Sequence, residues 1–150
     1  MIADSVVIAA RPAPREPADL AGFEADAVEL TAQERRRPRR RVVTRSGGAL
    51  RLMLATGETL APGDLLHVGP GWYVTVAAAS EALLAVQPRS PGEAIRVALE
   101  VGRLHSALAV AGGRLLVPDE PATERLLQRL GVRWERCHEA FDPISSGSPH

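Results

Sequence analysis

The second half of the chain constrains the fold most strongly, because strand-like and helix-like patterns alternate there in a definite order. A strand-sized apolar run, EALLAVQP, precedes a helix pattern, a hairpin pattern around Gly112-Gly113 and a second helix pattern. The run VRWERCHEAF then supplies a closing strand. The order β-α-β-β-α-β predicts the ferredoxin-like, or split βαβ, arrangement.

The first helix pattern carries a clear start signal. Ser90 is expected at the N-cap, with Pro91 as the first helical residue and Glu93 completing a capping box. The helix is expected to end near His105. Its apolar positions at helical spacing are Ile95, Ala98, Leu99 and Gly102.

The second helix pattern lies between Asp119 and Gly131. Asp119 is expected to cap the start of this helix, and Gly131 is placed to end it. The apolar positions that share one face are Ala122, Leu126, Leu127 and Leu130.

The first half shows short strand signals punctuated by Gly, Pro and Asp. The segment VVTRSGGALRLML predicts a hairpin that turns at Gly47-Gly48, and LLHVGPGWYVTV predicts another that turns at Gly69-Pro70-Gly71. Residues 13–25 are Pro-rich and polar, which favours a loop. This half is predicted to form a small antiparallel β domain.

A chain of 150 residues fits one compact unit or two very small domains. We predict an α+β protein with a β-rich N-terminal domain over residues 1–79 and a ferredoxin-like domain over residues 80–143. Residues 144–150 are turn-forming and are expected to be a flexible tail. Units this small bury a modest fraction of their surface, so dimerisation is a plausible source of stability.

Composition and charge limit the classes of function. The chain has 18 basic residues, all Arg, and 18 acidic residues, so its formal net charge is zero. It therefore has no whole-protein field to attract nucleic acid or an anionic membrane. A single Cys excludes an intramolecular disulfide framework, and no segment approaches the ~18 consecutive apolar residues of a membrane span. We expect a soluble, cytoplasmic protein without a signal peptide.

The most distinctive local feature is the run from Arg35 to Arg41, in which six of seven residues are Arg. Such a run could bind phosphates as a nucleic-acid arm. However, no aromatic residues interleave it, and acidic residues balance its charge. If Arg39 and Arg41 alternate on a strand, one face of that strand is basic. The run favours a solvated or protein-docking surface, with an RNA- or ribosome-associated factor as the alternative.

No catalytic motif is found in the sequence. Gly47-Gly48 lacks the Lys of a phosphate-binding loop, and neither a nucleophile elbow nor a His-Glu-x-x-His pattern occurs. Glu120 and Glu124 lie one helical turn apart, but an exposed helix face explains them better than an acid/base pair. We expect that the protein is not an enzyme.

Five segments, taken in order, resemble the urease accessory protein UreE family. They are VELTAQERRRPRRRVVTRSGGALRLML, then Gly57 and Leu60 with APGDLL, LEVGRLH, LLQRLG and Phe141-Asp142-Pro143. The third resembles the family's Leu-Gly-Asn-Arg-His helix end, and the last resembles its Pro-Phe-Glu-Pro closing motif. The resemblance covers roughly residues 27–143.

The resemblance implies a nickel-binding metallochaperone that delivers Ni²⁺ for assembly of the urease active site. It also implies a homodimer formed through the C-terminal domain, with an accessory GTPase and the urease apoprotein complex as partners. Both subunits of the family dimer contribute the His at the end of the first ferredoxin-like helix, which is His105 here. A tail histidine, His150, could join it. Imidazole suits Ni²⁺, while Zn²⁺ or Cu²⁺ could bind in vitro.

Taken without the family, each histidine also has an ordinary structural explanation. His105 shares the apolar stripe of its helix, where a lone His is more often packed or helix-terminal. His150 could equally be a disordered terminal residue. Cys137 and His138 are neighbours on a strand, so they point to opposite faces, and His138 is a weak third ligand candidate. His67 is expected to be structural.

The sequence departs from the family pattern in three places. Arg103 and Leu104 replace the Asn-Arg before the His, and residues 117–121 lack the extra histidines found there in many members. The chain ends at Ser148-Pro149-His150 rather than in a His-rich tail. These departures predict a sparse transfer site rather than a nickel store. A metal-independent ferredoxin-like interaction module is the remaining alternative.

Overall fold

The computed structural model describes residues 6–13 and 15–144. The chain divides into two compact units, with the boundary between Ala79 and Ser80. Each unit has its own apolar core. The predicted α+β class, a sheet-rich N-terminal part followed by a helix-containing sheet, is confirmed. The predicted flexible tail lies outside the described residues, apart from Ile144.

The first unit contains two three-stranded sheets and two short 3-10 helices, Pro17–Leu20 and Glu34–Arg36. One sheet has the strand order β1-β4-β3 and the other has the order β2-β6-β5. The strands are β1 (Val6–Ile8), β2 (Glu24–Leu30), β3 (Arg39–Val43), β4 (Ala49–Met53), β5 (Leu65–Gly69) and β6 (Trp72–Ala78).

The two hairpins predicted in this unit are confirmed. β3 and β4 pair in antiparallel fashion across a turn in which Gly47 has a φ of 96°. β5 and β6 do the same across a turn in which Gly71 has a φ of 76°. Glycine is favoured at both positions because its missing Cβ permits positive φ at little cost.

The prediction of an antiparallel N-terminal domain is wrong for two of its strand pairs. β1 lies parallel to β4, and β2 lies parallel to β6. Each of these strands joins its sheet after a long connection rather than a hairpin, and such a connection permits parallel pairing. Both sheets are therefore mixed.

The second unit forms one four-stranded sheet with two helices. The strand order is β10-β7-β9-β8, and all neighbouring strands are antiparallel. This order matches the predicted βαββαβ arrangement. The elements are β7 (Ser80–Val86), α1 (Pro91–Arg103), β8 (Ala109–Ala111), β9 (Arg114–Pro118), α2 (Pro121–Leu130) and β10 (Trp134–Ala140).

The start of α1 follows the predicted capping pattern only in part. The Ser90 hydroxyl accepts a hydrogen bond from the Glu93 amide at 3.1 Å, as expected of an N-cap. The Glu93 carboxylate accepts instead from the amide of Arg89, at 3.3 Å, rather than from Ser90. The side chain therefore reaches one residue further back than in a capping box.

The predicted core face of α1 is wrong. Val97 and Val101 are buried against the core, whereas Ile95 and Leu99 are 69% and 54% exposed. The helix carries two apolar stripes, and a periodicity of 3.6 residues fits both of them. The sheet takes the stripe that contains Val97 and Val101, and the other stripe is exposed among the residues that the structure describes.

The second helix differs from its prediction at the cap, while most of its predicted buried face is confirmed. Glu120, not Asp119, is the N-cap, and its amide donates to the Thr123 hydroxyl at 3.3 Å. Asp119 instead pairs with Arg136 at 3.4 Å. Gly131 ends the helix in the left-handed conformation, as predicted. Leu126 and Leu127 are buried and Leu130 packs against the core, as predicted, whereas Ala122 is exposed and Thr123 is buried instead.

No helix within residues 6–13 and 15–144 is long and apolar enough to cross a membrane.

Candidate metal site

The residue singled out by sequence, His105, lies directly beyond the end of α1 in an unusual backbone conformation. The helix closes through two hydrogen bonds, from the His105 amide to the Gly102 carbonyl at 3.0 Å and from the Ser106 amide to the Val101 carbonyl at 3.2 Å. This pair of bonds is a Schellman motif, with Leu104 as the C-cap. The motif places His105 at the position that glycine usually occupies.

His105 has a φ of 54° and is the one non-glycine residue with positive φ in the part of the chain that the structure describes. A side chain with a Cβ is disfavoured in this left-handed region by about 1–2 kcal/mol. Histidine tolerates the region better than most residues but still less well than glycine. A strained residue at an exposed helix end points to a role for its side chain, because local strain clusters at functional sites.

The helix that precedes His105 carries exposed apolar side chains. The His105 side chain itself is exposed, and it follows Leu104, which is 42% exposed. Ile95 and Leu99 precede it on the exposed face of α1, one helical turn apart. We call Ile95 and Leu99 the α1 apolar stripe. Exposed apolar groups of this kind commonly mark an interaction site.

Arg103, which replaces the Asn of the family pattern, has its side chain paired with a residue of its own helix. The Arg103 guanidinium donates to the Glu100 carboxylate at 2.8 Å, an i, i+3 pair on the helix surface. Because Arg103 is mostly exposed, this ion pair contributes little to stability. It does partly neutralise the positive charge closest in sequence to the exposed imidazole.

Within residues 6–13 and 15–144, no three His, Cys, Asp or Glu residues cluster closely enough to hold a metal ion. The described residues of one chain therefore do not supply a set of metal ligands around His105. His150, the second predicted ligand, lies outside the described residues.

The weaker candidate His138 lies on β10 and is exposed. The Nδ1 atom of His138 lies 2.7 Å from the hydroxyl of Ser80, which belongs to the adjoining strand β7. Cys137 lies on the other face of β10, beside Glu139, and burial is the main cause that raises the pKa of its thiol. The two neighbours therefore do not converge on one ion, and the Cys137 thiol is kept protonated, which disfavours metal binding.

His67 lies in the first unit and packs against Trp72, with 5.0 Å between the ring centroids. Burial lowers the pKa of the His67 imidazole, so the ring is neutral near pH 7. A neutral ring packed against an aromatic neighbour fits the structural role expected for this residue.

Two features of the site were missed by sequence reasoning. The first is the left-handed conformation of His105, for which the sequence carries no local signal, because a Schellman motif is defined by its hydrogen bonds. The second is the exposure of the α1 apolar stripe. A second stripe, Ala94, Val97 and Val101, was present in the sequence and competed for the core.

Two family models match adjoining parts of the chain. The model described as UreE urease accessory protein, N-terminal domain, matches residues 9–79, and the one described as UreE urease accessory protein, C-terminal domain, matches residues 81–149.

Similar proteins named urease accessory protein UreE include one from Deinococcus radiodurans, 38% identical over 135 residues that cover 90% of this chain and 85% of that protein. One from Ectopseudomonas mendocina is 35% identical over 139 residues, which cover 92% and 80% of the two chains. One from Cupriavidus necator is 37% identical over 114 residues, which cover 76% of this chain and 59% of that protein.

Proposed function

Because the chain belongs to the UreE urease accessory protein family, we propose that it is a metallochaperone that delivers Ni²⁺ for assembly of the urease active site. Nickel is the cargo in this role, and His105 is the residue that binds it. The ferredoxin-like domain over residues 80–143 is proposed to carry both the metal site and the dimer surface.

The observation that carries the proposal is that His105 directly follows the helix that carries the exposed α1 apolar stripe. A homodimer that buries Ile95 and Leu99 against the partner's stripe removes two large apolar side chains per subunit from water. A two-fold interface places the same surface patch on both subunits. One imidazole next to that patch therefore becomes two imidazoles near the symmetry axis.

The chemistry of this pair suits transfer of Ni²⁺. Imidazole nitrogen binds Ni²⁺ well, and the same donors also accept Zn²⁺ or Cu²⁺. Two histidines leave coordination positions open for water, for His150 from the tail, or for groups of a receiving protein. An imidazole binds metal only when its nitrogen is unprotonated, so acid competes with nickel and promotes release.

The proposed partners follow from the delivery role. The dimer passes nickel to the urease apoprotein complex together with an accessory GTPase, and it performs no catalysis itself. Delivery of this kind takes place where urease is assembled, which we infer to be the cytoplasm. Neither nucleic acid nor a membrane has a part in the proposed function.

The test is a calorimetric titration of the purified protein with Ni²⁺, with His105→Ala as the variant and His138→Ala as the matched control. His138 is also an exposed histidine of the second unit. The parent protein and the control are expected to bind about one ion per dimer tightly, and the variant is expected to lose this site. His150→Ala should weaken binding without abolishing it. A parent protein without a tight site, or a His105→Ala variant that binds like the parent, contradicts the proposal.

A further inference from the structure

One sheet of the first unit presents an exposed face that combines arginine and aliphatic side chains. The register of the β1-β4-β3 sheet places Val7 opposite Arg51, and Arg51 opposite Arg41. Strand alternation adds the remaining exposed residues of β3 and β4 to the same face. We call this surface the basic sheet face, and it consists of Val7, Arg39, Arg41, Val43, Arg51 and Met53.

The other side of the same sheet is the core of the unit. Leu50 and Leu52 of β4 are fully buried, and Val42 and Ile8 lie beside them. The sheet is therefore amphipathic, and its outward residues are not needed to form the core. Val7 and Val43 are nevertheless each 59% exposed, which leaves large apolar groups in water.

Two other arginines of the run have partners within the fold. Arg35 is buried, and its guanidinium donates to the Leu30 carbonyl at 2.7 Å. Arg40 pairs with Glu34 at 2.8 Å. The run is thus divided between structural arginines and arginines that face outward.

The outward arginines lack acidic neighbours. None of the residues of β1, β3 and β4 is acidic, and among the described residues no carboxylate lies within 4.0 Å of the Arg41 or Arg51 guanidinium. By contrast, Arg45 pairs with Glu29 at 2.9 Å elsewhere in the unit. Like charges directly opposite each other disfavour a sheet. Arg41 and Arg51 therefore repel each other in the free protein, and an external anion would relieve that repulsion.

We propose that the basic sheet face docks an acidic, partly apolar surface of a protein partner in urease maturation, an inference that rests on the proposed delivery role. Guanidinium groups bind carboxylates through paired hydrogen bonds, which suits Arg41 and Arg51 to aspartate or glutamate side chains. Val7, Val43 and Met53 supply apolar contact between the charges. Arginine and methionine are enriched in protein interfaces, in keeping with this composition.

The same features argue against RNA as the occupant. Proteins that bind single-stranded nucleic acid stack bases on aromatic side chains, and no aromatic residue lies on β1, β3 or β4. The aliphatic residues between the arginines interrupt any continuous track for a phosphate backbone. The formal net charge of zero adds no long-range attraction.

The test compares Arg41→Gln/Arg51→Gln with Arg125→Gln/Arg129→Gln. Each double variant removes two positive charges from exposed arginines, and the control pair lies on the outer side of α2 in the second unit. Binding is measured to two purified probes, the urease apoprotein complex and the accessory GTPase, and to a single-stranded RNA. The first variant is expected to raise the Kd for at least one protein probe by about tenfold, while the control stays within about twofold of the parent.

Several results would overturn the inference. Equal losses in both double variants would show an effect of net charge alone, and an unchanged Kd in the first variant would show that the face is not used. Binding of the parent to RNA but to neither protein probe would assign the face to nucleic acid. Absence of binding to all three probes would also refute the inference.

A Ni²⁺ titration of the same proteins separates this inference from the proposed function. Both double variants are expected to bind nickel like the parent, because none of the changed residues lies near His105 in sequence. Loss of the protein probe with nickel binding retained supports the docking face. Failure of the parent to bind nickel refutes the delivery role, whatever the docking result.

Discussion

The left-handed conformation of His105 leads to an unusual expectation, that a substitution which removes the metal ligand also stabilises the protein. The residue occupies the glycine position of a Schellman motif with a φ of 54°. His105→Gly removes the Cβ clash, a gain of about 1 kcal/mol at the low end of the left-handed penalty. Part of this gain is offset by the extra freedom of glycine in the unfolded chain.

We therefore expect His105→Gly to raise the free energy of unfolding by about 0.5–1 kcal/mol, which corresponds to a rise in Tm of about 1–4 °C. His105→Ala keeps a Cβ at the same φ and is expected to gain no such stability. Both variants lose the imidazole, so neither is stabilised by nickel. For the parent, Ni²⁺ at 100 times its Kd should add about 2.7 kcal/mol.

The assay is urea unfolding of the parent, His105→Gly and His105→Ala at one protomer concentration, with and without Ni²⁺. Fixed concentration matters because the stability of a dimer depends on it. Without nickel, the glycine variant should be the most stable of the three, and with nickel the parent should be. A glycine variant less stable than the alanine variant would refute the conformational reasoning. Nickel stabilisation of both variants would refute the assignment of His105 as ligand.

Three further predictions concern the dimer surface, the basic sheet face and the response to acid. Leu99→Glu places a charge on the α1 apolar stripe. The variant should be a monomer in analytical ultracentrifugation and should no longer bind nickel tightly. A dimeric Leu99→Glu protein would contradict the proposed interface. Arg51→Thr relieves the repulsion with Arg41 and should raise the free energy of unfolding by about 0.2–1 kcal/mol, whereas a lower stability would show that the pair is not repulsive. The pKa of Glu34 lies below its usual value of 4.5, first because its carboxylate accepts from the Thr31 amide and then because Arg40 lies beside it. Its contribution to stability is therefore fully present above pH 4.5 and is lost as the pH falls through its lower folded-state pKa, so Glu34→Gln should flatten the acid limb of a stability-against-pH curve.

Local patterns were enough to predict the second unit of the fold. The capped helix from Ser90, the turn at Gly112-Gly113 and the stop at Gly131 each involve residues close together in sequence. Strand pairing between distant segments has no such signal. β1 pairs with residues more than 40 positions away, Val6 with Leu50, and nothing in either segment specifies a parallel partner. That is why the first unit was predicted to be antiparallel.

The candidate site was less predictable, because two of its features are not local. Periodicity alone could not say whether Val97 or Ile95 faces the sheet, and that choice decides which surface is free to bind another molecule. The resemblance to UreE proteins made His105 the candidate ligand and said nothing of its backbone conformation. The left-handed cap became apparent only from the hydrogen bonds of Ser106 and His105 themselves.

The central claim is that two His105 side chains, one from each subunit, hold one nickel ion. Native mass spectrometry of a mixture of the parent and His105→Ala chains tests it directly, because the two homodimers and the mixed dimer differ in mass. At a limiting Ni²⁺ concentration, one ion should be retained by the parent homodimer, while the mixed dimer and the variant homodimer remain free of metal. Nickel on the mixed dimer at the level of the parent homodimer, or on monomers, would contradict a site shared across the two-fold axis.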